Sequence, residues 1–326
     1  MKKILISLLF LHLSIAAKLI DVDFDQGMGK GRIPAYAEFK KGMGFDRASK
    51  PKPASELMDF FRNLFNHHKP SMMIENGEFR IPPIVHIVWL GKEFPKQFKP
   101  WRQSWIHYHP DWTHILWVDN PQNYHLGTLP AKVETLYEDI CNGVYKGKTL
   151  VIDVKHVFPL RNQIYYDKAR NLGEKSDILR LEMVEKFGGL YVDVDFECKA
   201  SFEQLHRCYD FYTGLQPISI NAVVLGIALF ASIPHHPVLQ DYIANIANNS
   251  KHRLVIERTG PIAFTRSFWH SAGKNGLLDI AFPASYFYPT EYRDYADSDT
   301  FPSAEFIKRK MKPESLAVHH WAGSWT

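Results

Sequence analysis

Residues 188–197 read GGLYVDVDFE, and three carboxylates in this stretch, Asp193, Asp195 and Glu197, fall at alternate positions. On an extended strand alternate side chains share a face. The spacing therefore sets Tyr191, Asp193, Asp195 and Glu197 on one side and Leu190, Val192, Val194 and Phe196 on the other. Like charges that close repel, and burial raises the cost. Two compensations fit: a solvent-facing polar side, or a hard divalent cation bound by a D-x-D pair at a strand end. In an open α/β sheet, ligands gather beyond the carboxyl ends of strands. The two glycines that open the stretch predict close backbone approach or a tight entry.

Just upstream, GEKSDILRLEMVEKFGG predicts a helix with Ser176 as N-cap, Gly188 as stop, and Ile178, Leu179, Val184 and Phe187 for packing. Asp177 and Arg180 are three apart and share a face at its first turn. They read either as a dipole-facing acid with an exposed arginine or as charges that serve the neighbouring carboxylates. Trp89 follows an apolar run and is either core or a flat platform for a base or sugar ring. The tail, AVHHWAGSWT, carries His319, His320, Ser324 and Trp325 and is too aromatic for a loose terminus, so it should dock.

The elements that position these residues follow from periodicity. IPPIVHIVWLG, from Ile81 to Gly91, is a strand pattern; QFKPWRQSWIHYHPDW is a helix that stops at His109-Pro110; HILWVDN is a second strand. Residues 121–175 are expected to be largely helical, and 176–197 form a helix and strand. Strands alternating with helices predict an α/β sheet with a Rossmann-like start. Residues 1–17 combine Lys2-Lys3, an apolar run of 14 residues and small residues, the pattern of a secretory signal or N-terminal anchor. Residues 18–80 read as a linker or stem with an amphipathic helix near 55–68, and 81–326 as the α/β domain. The helix face of Leu57, Phe60, Phe61, Leu64 and Phe65 could pack on the body or lie on a membrane.

The 326 residues are 45% hydrophobic, enough for a large core, and carry a net charge of +4 without a basic block, which argues against a nucleic-acid partner. The three cysteines, Cys141, Cys198 and Cys208, form no CxxC pattern and read as free thiols rather than a zinc or disulfide framework.

In order along residues 81–326, IPPIVHIVWLG, WRQSWIHYHPDWTHILWVD, SDILRLEMVEKFGGLYVDVDFE, ERTGP and AVHHWAGSWT together resemble the family 32 glycosyltransferases with a DXD sugar-binding region. That family is similar both to yeast-type mannosyltransferases and to the catalytic domains of clostridial glucosylating toxins. The resemblance implies a GT-A fold of the α/β class and metal-dependent transfer of a hexose from a UDP-sugar or GDP-mannose, with retention, to a glycan, lipid or protein acceptor. It implies that Trp89 stacks on the donor's base, that Asp177 and Arg180 hold the donor sugar and its phosphate side, and that Asp193 contacts ribose or sugar. Asp195 would bind the metal, Mn²⁺ or else Mg²⁺, with His319 or His320 as a further ligand, and Ser324 and Trp325 would close over the diphosphate. Tyr191 and Glu197 would be supports; Glu257, Arg258 and the Gly260-Pro261 turn would shape the acceptor side. The leader implies export or a membrane anchor with a lumenal or extracytoplasmic catalytic domain, in a compartment supplied with donor.

Three other readings are weaker. A phosphatase of the haloacid dehalogenase type also uses DxD after a strand, but a Thr or Val usually follows the second Asp, where this chain has Phe196. A glycoside hydrolase needs two carboxylates but neither arginine nor nucleotide platform. A non-catalytic carbohydrate-binding module would have no use for Asp177, Arg180, Asp193 and Asp195 together.

Overall fold

The computed structural model describes residues 19–29, 54–73, 77–124, 133–220, 222–295 and 301–323. The leader at 1–17, much of the stem, and Ser324 and Trp325 lie outside the described residues.

Seven strands form one mixed sheet: β1 (Ile84–Trp89), β2 (Thr113–Val118), β3 (Thr149–Asp153), β4 (Gly189–Val192), β6 (Phe211–Leu215), β7 (Leu225–Ser232) and β8 (Asp279–Phe282), in the order β3-β2-β1-β4-β7-β6-β8. Two further short strands, β5 (Phe196–Cys198) and β9 (Ala317–His319), pair antiparallel beside it. β3, β2, β1 and β4 run parallel, and β7 is antiparallel to β4. β2 and β7 are buried along their whole length, as strands covered on both faces must be. The α/β class and its Rossmann-like start are therefore present.

The order places a topological switch at β1–β4. The chain winds outward from β1 to β2 and β3, then returns through helix α3 to β4 on the other side. At such a point the carboxyl ends of two neighbouring strands open a crevice. β1 ends at Trp89 and β4 ends one residue before Asp193.

The principal helices are α1 (Ala54–His68), α2 (Lys99–Tyr108), α3 (Leu172–Phe187), α4 (Pro237–Asn249) and α5 (Pro261–Ser271). α3 is almost wholly buried, and it buries Glu174, Asp177, Arg180, Glu182 and Glu185 along with its apolar residues. Its N-cap is Asn171, whose side chain accepts from the Glu174 N–H at 2.9 Å, not Ser176 as the sequence suggested. The cap at Asn171 lies five residues before Ser176, so Asp177 and Arg180 sit past the first turn. Gly188 stops α3 at φ 65°, and Gly189 follows at φ 98°. A side chain on Gly188 would meet Pro82 and Pro234 at 2.8 Å, and one on Gly189 would meet the Ile84 carbonyl at 2.8 Å. The close approach expected at the strand's entry is therefore real.

Two expectations need correction. Residues 121–175 are not one helical region: the described part contains β3, which extends the parallel sheet, between short helices at Val133–Cys141 and Gln163–Asp167, with 3-10 turns at Pro121–Asn123 and Val154–Val157 and the start of α3. A five-residue apolar run carries no periodicity that separates strand from helix. The stretch 188–197 is not one strand: β4 ends at Val192, and a turn closed by the Phe196 N–H on the Asp193 carbonyl precedes β5. Aspartate is a poor strand former, and β1 pairs with β4 only at Leu190 and Tyr191. Of the two placements open to the 55–68 helix, α1 takes packing onto the body: Leu57, Phe61 and Phe65 are fully buried, and Phe65 meets Phe282 and Tyr286. No helix among the described residues is long and apolar enough to cross a membrane. All three cysteines are free thiols, Cys198 and Cys208 buried and Cys141 exposed.

Candidate active site

The turn between β4 and β5 projects Asp193 and Asp195 into the switch-point crevice, and β9 delivers His319 to the same place. One ligand atom from each of Asp193, Asp195 and His319 lies within 4.8 Å of the others. His319 Nε2 stands 3.2 Å from Asp195 Oδ1, while His319 Nδ1 is buried without a hydrogen-bond partner. Two carboxylates and an imidazole, with one ring nitrogen unassigned, fit a divalent cation such as Mn²⁺.

The tail is fastened to the turn through its backbone. The Ala322 N–H donates to Asp195 Oδ2 at 2.8 Å, and the His320 N–H donates to the Asp195 carbonyl at 2.9 Å. Trp321 adopts φ 49° and donates its indole N–H to the Thr290 carbonyl at 3.2 Å. A positive φ is costly for a bulky residue, so the surrounding contacts hold that bend. His320 points elsewhere: it lies flat on Trp101, with ring centroids 4.0 Å apart and 8° between planes, and meets Glu197 at 3.0 Å. The structure thus brings His319, not His320, to the acidic pair. Neighbouring residues on a strand face opposite ways, which is why only one could arrive. Glu197, paired with His320 and Lys199, stands outside the cluster as a support.

Arg180 ties the helix to the turn. Its guanidinium lies 3.2 Å from Asp193 Oδ1 and 3.2 Å from Asp177 Oδ1, and it donates to the Ile227 carbonyl at 3.1 Å. It also stacks over the Tyr191 ring at 4.5 Å, and the Tyr191 hydroxyl donates to Asp193 at 2.6 Å. Asp177 and Arg180 are buried, so the dipole-facing acid and exposed arginine do not describe them. Asp177 also accepts from the Thr259 hydroxyl at 2.9 Å. Thr259 lies inside ERTGP, but nothing in its spacing marks it as a partner of Asp177. Arg258, from the same segment, forms a buried ion pair with Glu174 at 2.5 Å.

Burial decides the protonation pattern. Desolvation pushes the Asp177 carboxyl up to about 7 although Arg180 and Thr259 oppose it. Burial also raises Asp193, against the pull of Arg180. Asp195 is buried too, but the charge and hydrogen bond of His319 and the Ala322 N–H hold it below the usual carboxylate range. Arg180 stays charged: desolvation opposes it, and Asp193, Tyr191 and Asp177 outweigh that.

These groups line one cavity of about 440 Å³, whose wall also includes Trp89, Lys92, Ala228 and Trp321. Trp89 is half-buried; its indole N–H donates to the Lys92 carbonyl at 2.8 Å, and Phe94 and Phe98 brace its ring edge-on. It is therefore neither plain core nor mobile surface. Of the residues singled out in the sequence, Trp89, Asp177, Arg180, Asp193, Asp195 and His319 share this cavity.

Residues 95–212 match the family model described as glycosyltransferase sugar-binding region containing DXD motif. Inositol phosphoceramide mannosyltransferase 2 of Schizosaccharomyces pombe is 24% identical over 68% of this chain and 59% of its own length. Mannosyl phosphorylinositol ceramide synthase CSH1 of Saccharomyces cerevisiae is 23% identical over 66% of this chain and 51% of its own. The chain thus spans about half to three-fifths of the length of these relatives. The solved structure of PaToxG glycosyltransferase is similar at 17% identity with a TM-score of 0.47, over 66% of this chain and 77% of that one. The sequence resemblance to a DXD sugar-binding region is thus matched over residues 95–212, and the sheet is of the α/β class that the resemblance implied.

Proposed function

We propose that the chain, whose residues 95–212 match the model of a glycosyltransferase sugar-binding region, is a metal-dependent, retaining hexosyltransferase that uses a nucleotide-sugar donor. The observation that carries this is the convergence of Asp193, Asp195 and His319 on a cavity that also holds Arg180, Asp177 and Trp89.

Asp193, Asp195 and His319 would hold the metal, which when bound acts as a Lewis acid on the diphosphate as negative charge develops there. The Trp89 ring offers a braced flat face for the donor's base. Arg180 is a fixed positive charge that needs no reorganisation as the leaving group gains charge. Asp177, with its pKa raised to about 7, can present either a proton or a lone pair to a sugar hydroxyl.

Each carboxylate lining the cavity already has partners: Asp177 with Thr259 and Arg180, Asp193 with Tyr191 and Arg180, Asp195 with His319 and Ala322. No lining carboxylate among the described residues stands free as a nucleophile for double displacement. We therefore assign front-face transfer. The acceptor oxygen bonds to the anomeric carbon, the carbon–oxygen bond to phosphate breaks with its electron pair, and the acceptor proton passes to the leaving phosphate oxygen. An NMR assay of product stereochemistry tests this step: a retained anomer agrees, and an inverted one refutes it.

A glycolipid is the favoured acceptor. Leu172, Ile256 and Tyr292 are exposed large apolar residues at the mouth of the cavity, and such a patch marks a lipid or partner contact. The leader at residues 1–17 supports export or an N-terminal anchor and membrane association; N-terminal sequencing of the exported protein, with membrane fractionation, tests it. The activity itself is tested by hydrolysis of UDP-glucose, UDP-galactose, UDP-N-acetyl sugars and GDP-mannose with Mn²⁺ and with chelator. Slow donor hydrolysis that the chelator stops is expected; hydrolysis that survives the chelator overturns the metal assignment.

A further inference from the structure

Residues 252–261 form a lip at the cavity, whose wall includes Val255, Ile256, Gly260 and Pro261. The helical part of the lip is Val255–Arg258, and a helix of four residues does not hold itself together in water. Leu254 and Ile256 turn outward and are exposed, whereas Glu257, Arg258 and Thr259 are buried. Polar contacts on the inner side therefore fix this segment.

Arg258 directs its guanidinium inward. Its Nε and one terminal nitrogen donate to the Glu174 carboxylate of α3 at 2.5 and 3.0 Å. The other terminal nitrogen donates to the His252 and Arg253 carbonyls at 3.2 and 2.6 Å. This bidentate pair fastens the lip to the first turn of α3. On the far side of Thr259, the Tyr242 hydroxyl donates to the Gly260 carbonyl at 3.0 Å. A side chain on Gly260 would meet the Ile256 Cα at 2.6 Å, so the backbone folds tightly back on itself there. Thr259 thus lies between two anchors, and its hydroxyl donates to Asp177 Oδ2 at 2.9 Å.

Asp177 is where these ties converge. Arg180 stands 3.2 Å from its Oδ1, and Thr259 holds its Oδ2. The terminal torsion of an aspartate is broad, so a carboxylate held at one oxygen can turn, whereas one held at both keeps its plane. Asp177 lines the cavity but Arg258 and Thr259 do not, so their effect on a bound donor passes through it. We propose that Arg258 and Thr259 are positioning residues: the guanidinium sets the lip against α3, and the Thr259 hydroxyl so placed holds the Asp177 carboxylate in one orientation towards the donor's sugar. The assignment rests on the transferase reading above.

Calorimetric titration of the full chain, with Mn²⁺ present, against UDP-glucose and UDP and against GDP-mannose and GDP reads how much affinity the sugar adds. In Thr259→Val, which removes only the hydroxyl's chemistry, that added affinity should fall roughly fivefold or more, while the bare nucleotide binds as before. Arg258→Lys, which keeps the charge but not the fork, should show the same split. The double variant should lose little more than Thr259→Val alone, because the two residues act in series. Thr259→Ser keeps the hydroxyl and should restore most of the sugar's contribution. Titration of the Asp177 carboxyl by carbon NMR is a second readout. The Thr259 hydrogen bond draws that carboxyl down, so Thr259→Val and Arg258→Lys should each move it upward from about 7, and Thr259→Ser should not. Equal losses for sugar nucleotide and bare nucleotide, additive losses in the double variant, or an unmoved Asp177 titration in Thr259→Val overturns the proposal. If the unsubstituted protein binds none of the four ligands, the transferase reading fails instead, and the NMR titration still decides whether Thr259 and Arg258 hold the carboxylate.

Discussion

The Arg180 guanidinium stands 3.2 Å from Asp193, on the turn after β4, and so links helix α3 to the residues that face the cavity of about 440 Å³. The same guanidinium lies 3.2 Å from Asp177. One buried cation therefore compensates a buried carboxylate, Asp177, and a half-buried one, Asp193, and each of its contacts is both structural and electrostatic.

Removing that cation should destabilise the fold as well as the reaction. Arg180→Met leaves Asp177 and Asp193 facing each other without a counter-charge, and breaking a buried pair from one side costs about 3–5 kcal/mol. Urea denaturation should show most of that loss. The double variant Arg180→Met with Asp177→Asn should recover part of it, since it removes one stranded charge. If Arg180→Met unfolds at the same urea concentration as the parent, the compensation argument is wrong.

Asp195 and His319 should be separable from His320 by metal binding alone. Asp195→Ala and His319→Ala are each expected to weaken Mn²⁺ binding by about tenfold or more, measured by electron paramagnetic resonance of free Mn²⁺. Asp195→Ala should also abolish donor hydrolysis. His320→Phe keeps a ring on Trp101 and should leave Mn²⁺ affinity within a few-fold. A larger loss for His320→Phe than for His319→Ala would reverse the assignment.

The pH dependence of stability should be set by buried histidines. Burial lowers His86 to about 4, His109 to about 3 and His114 to about 4. Unfolded histidine titrates near 6.5. Below that pH the unfolded chain takes up protons that the native state refuses, so stability present above about pH 6.5 is lost as pH falls towards 4. Each fully contributing histidine gives a slope of up to ~1.4 kcal/mol per pH unit. Asp177, raised to about 7, acts in the opposite sense, because its native form keeps a proton that the unfolded chain releases above about pH 4. Burial also lowers His206 and raises Asp193 and Glu182, so four histidines oppose three carboxyls; the histidines are expected to prevail, with urea midpoints dropping between about pH 7 and about pH 5, and less so in His114→Gln. A rising midpoint would contradict this balance.

Residues 54–68 should behave as part of the body. Phe61 is fully buried against Phe268, and Phe→Ala in a core costs about 3–5 kcal/mol. Phe61→Ala should lower the thermal midpoint of the same cooperative transition that unfolds the sheet. A separate early transition, with the main one unmoved, would make the helix an independent appendage.

The sequence made the strand-end carboxylates, the helix before them and the β1 platform legible because each lies in a short segment whose periodicity and end signals are local. The continuity of 188–197 was misread because alternation describes a strand only while both neighbours stay beside it, and β1 leaves after Tyr191. β3 was missed because TLVID is too short to declare a period. The burial of Asp177 and Arg180 was hidden because α3 is covered on nearly every side, so its charges do not mark a solvent face. Choosing His319 over His320 needed the pairing of β9 with β5, a contact between segments far apart in the chain.

That pairing has a consequence for the order of events during synthesis. Asp193 is tied to β7 by its N–H on the Ala228 carbonyl, but the imidazole that joins the acidic pair, and the N–H groups of His320 and Ala322 that hold Asp195, belong to the last strand in the chain order and the tail after it. A nascent chain could therefore complete its main sheet while still lacking its full set of metal-facing atoms, so assembly of the body and the onset of metal affinity are separate moments. Chains stalled on the ribosome before β9 emerges should be protease-resistant yet unable to retain Mn²⁺, which makes docking of the tail the step at which a folded protein becomes a competent one.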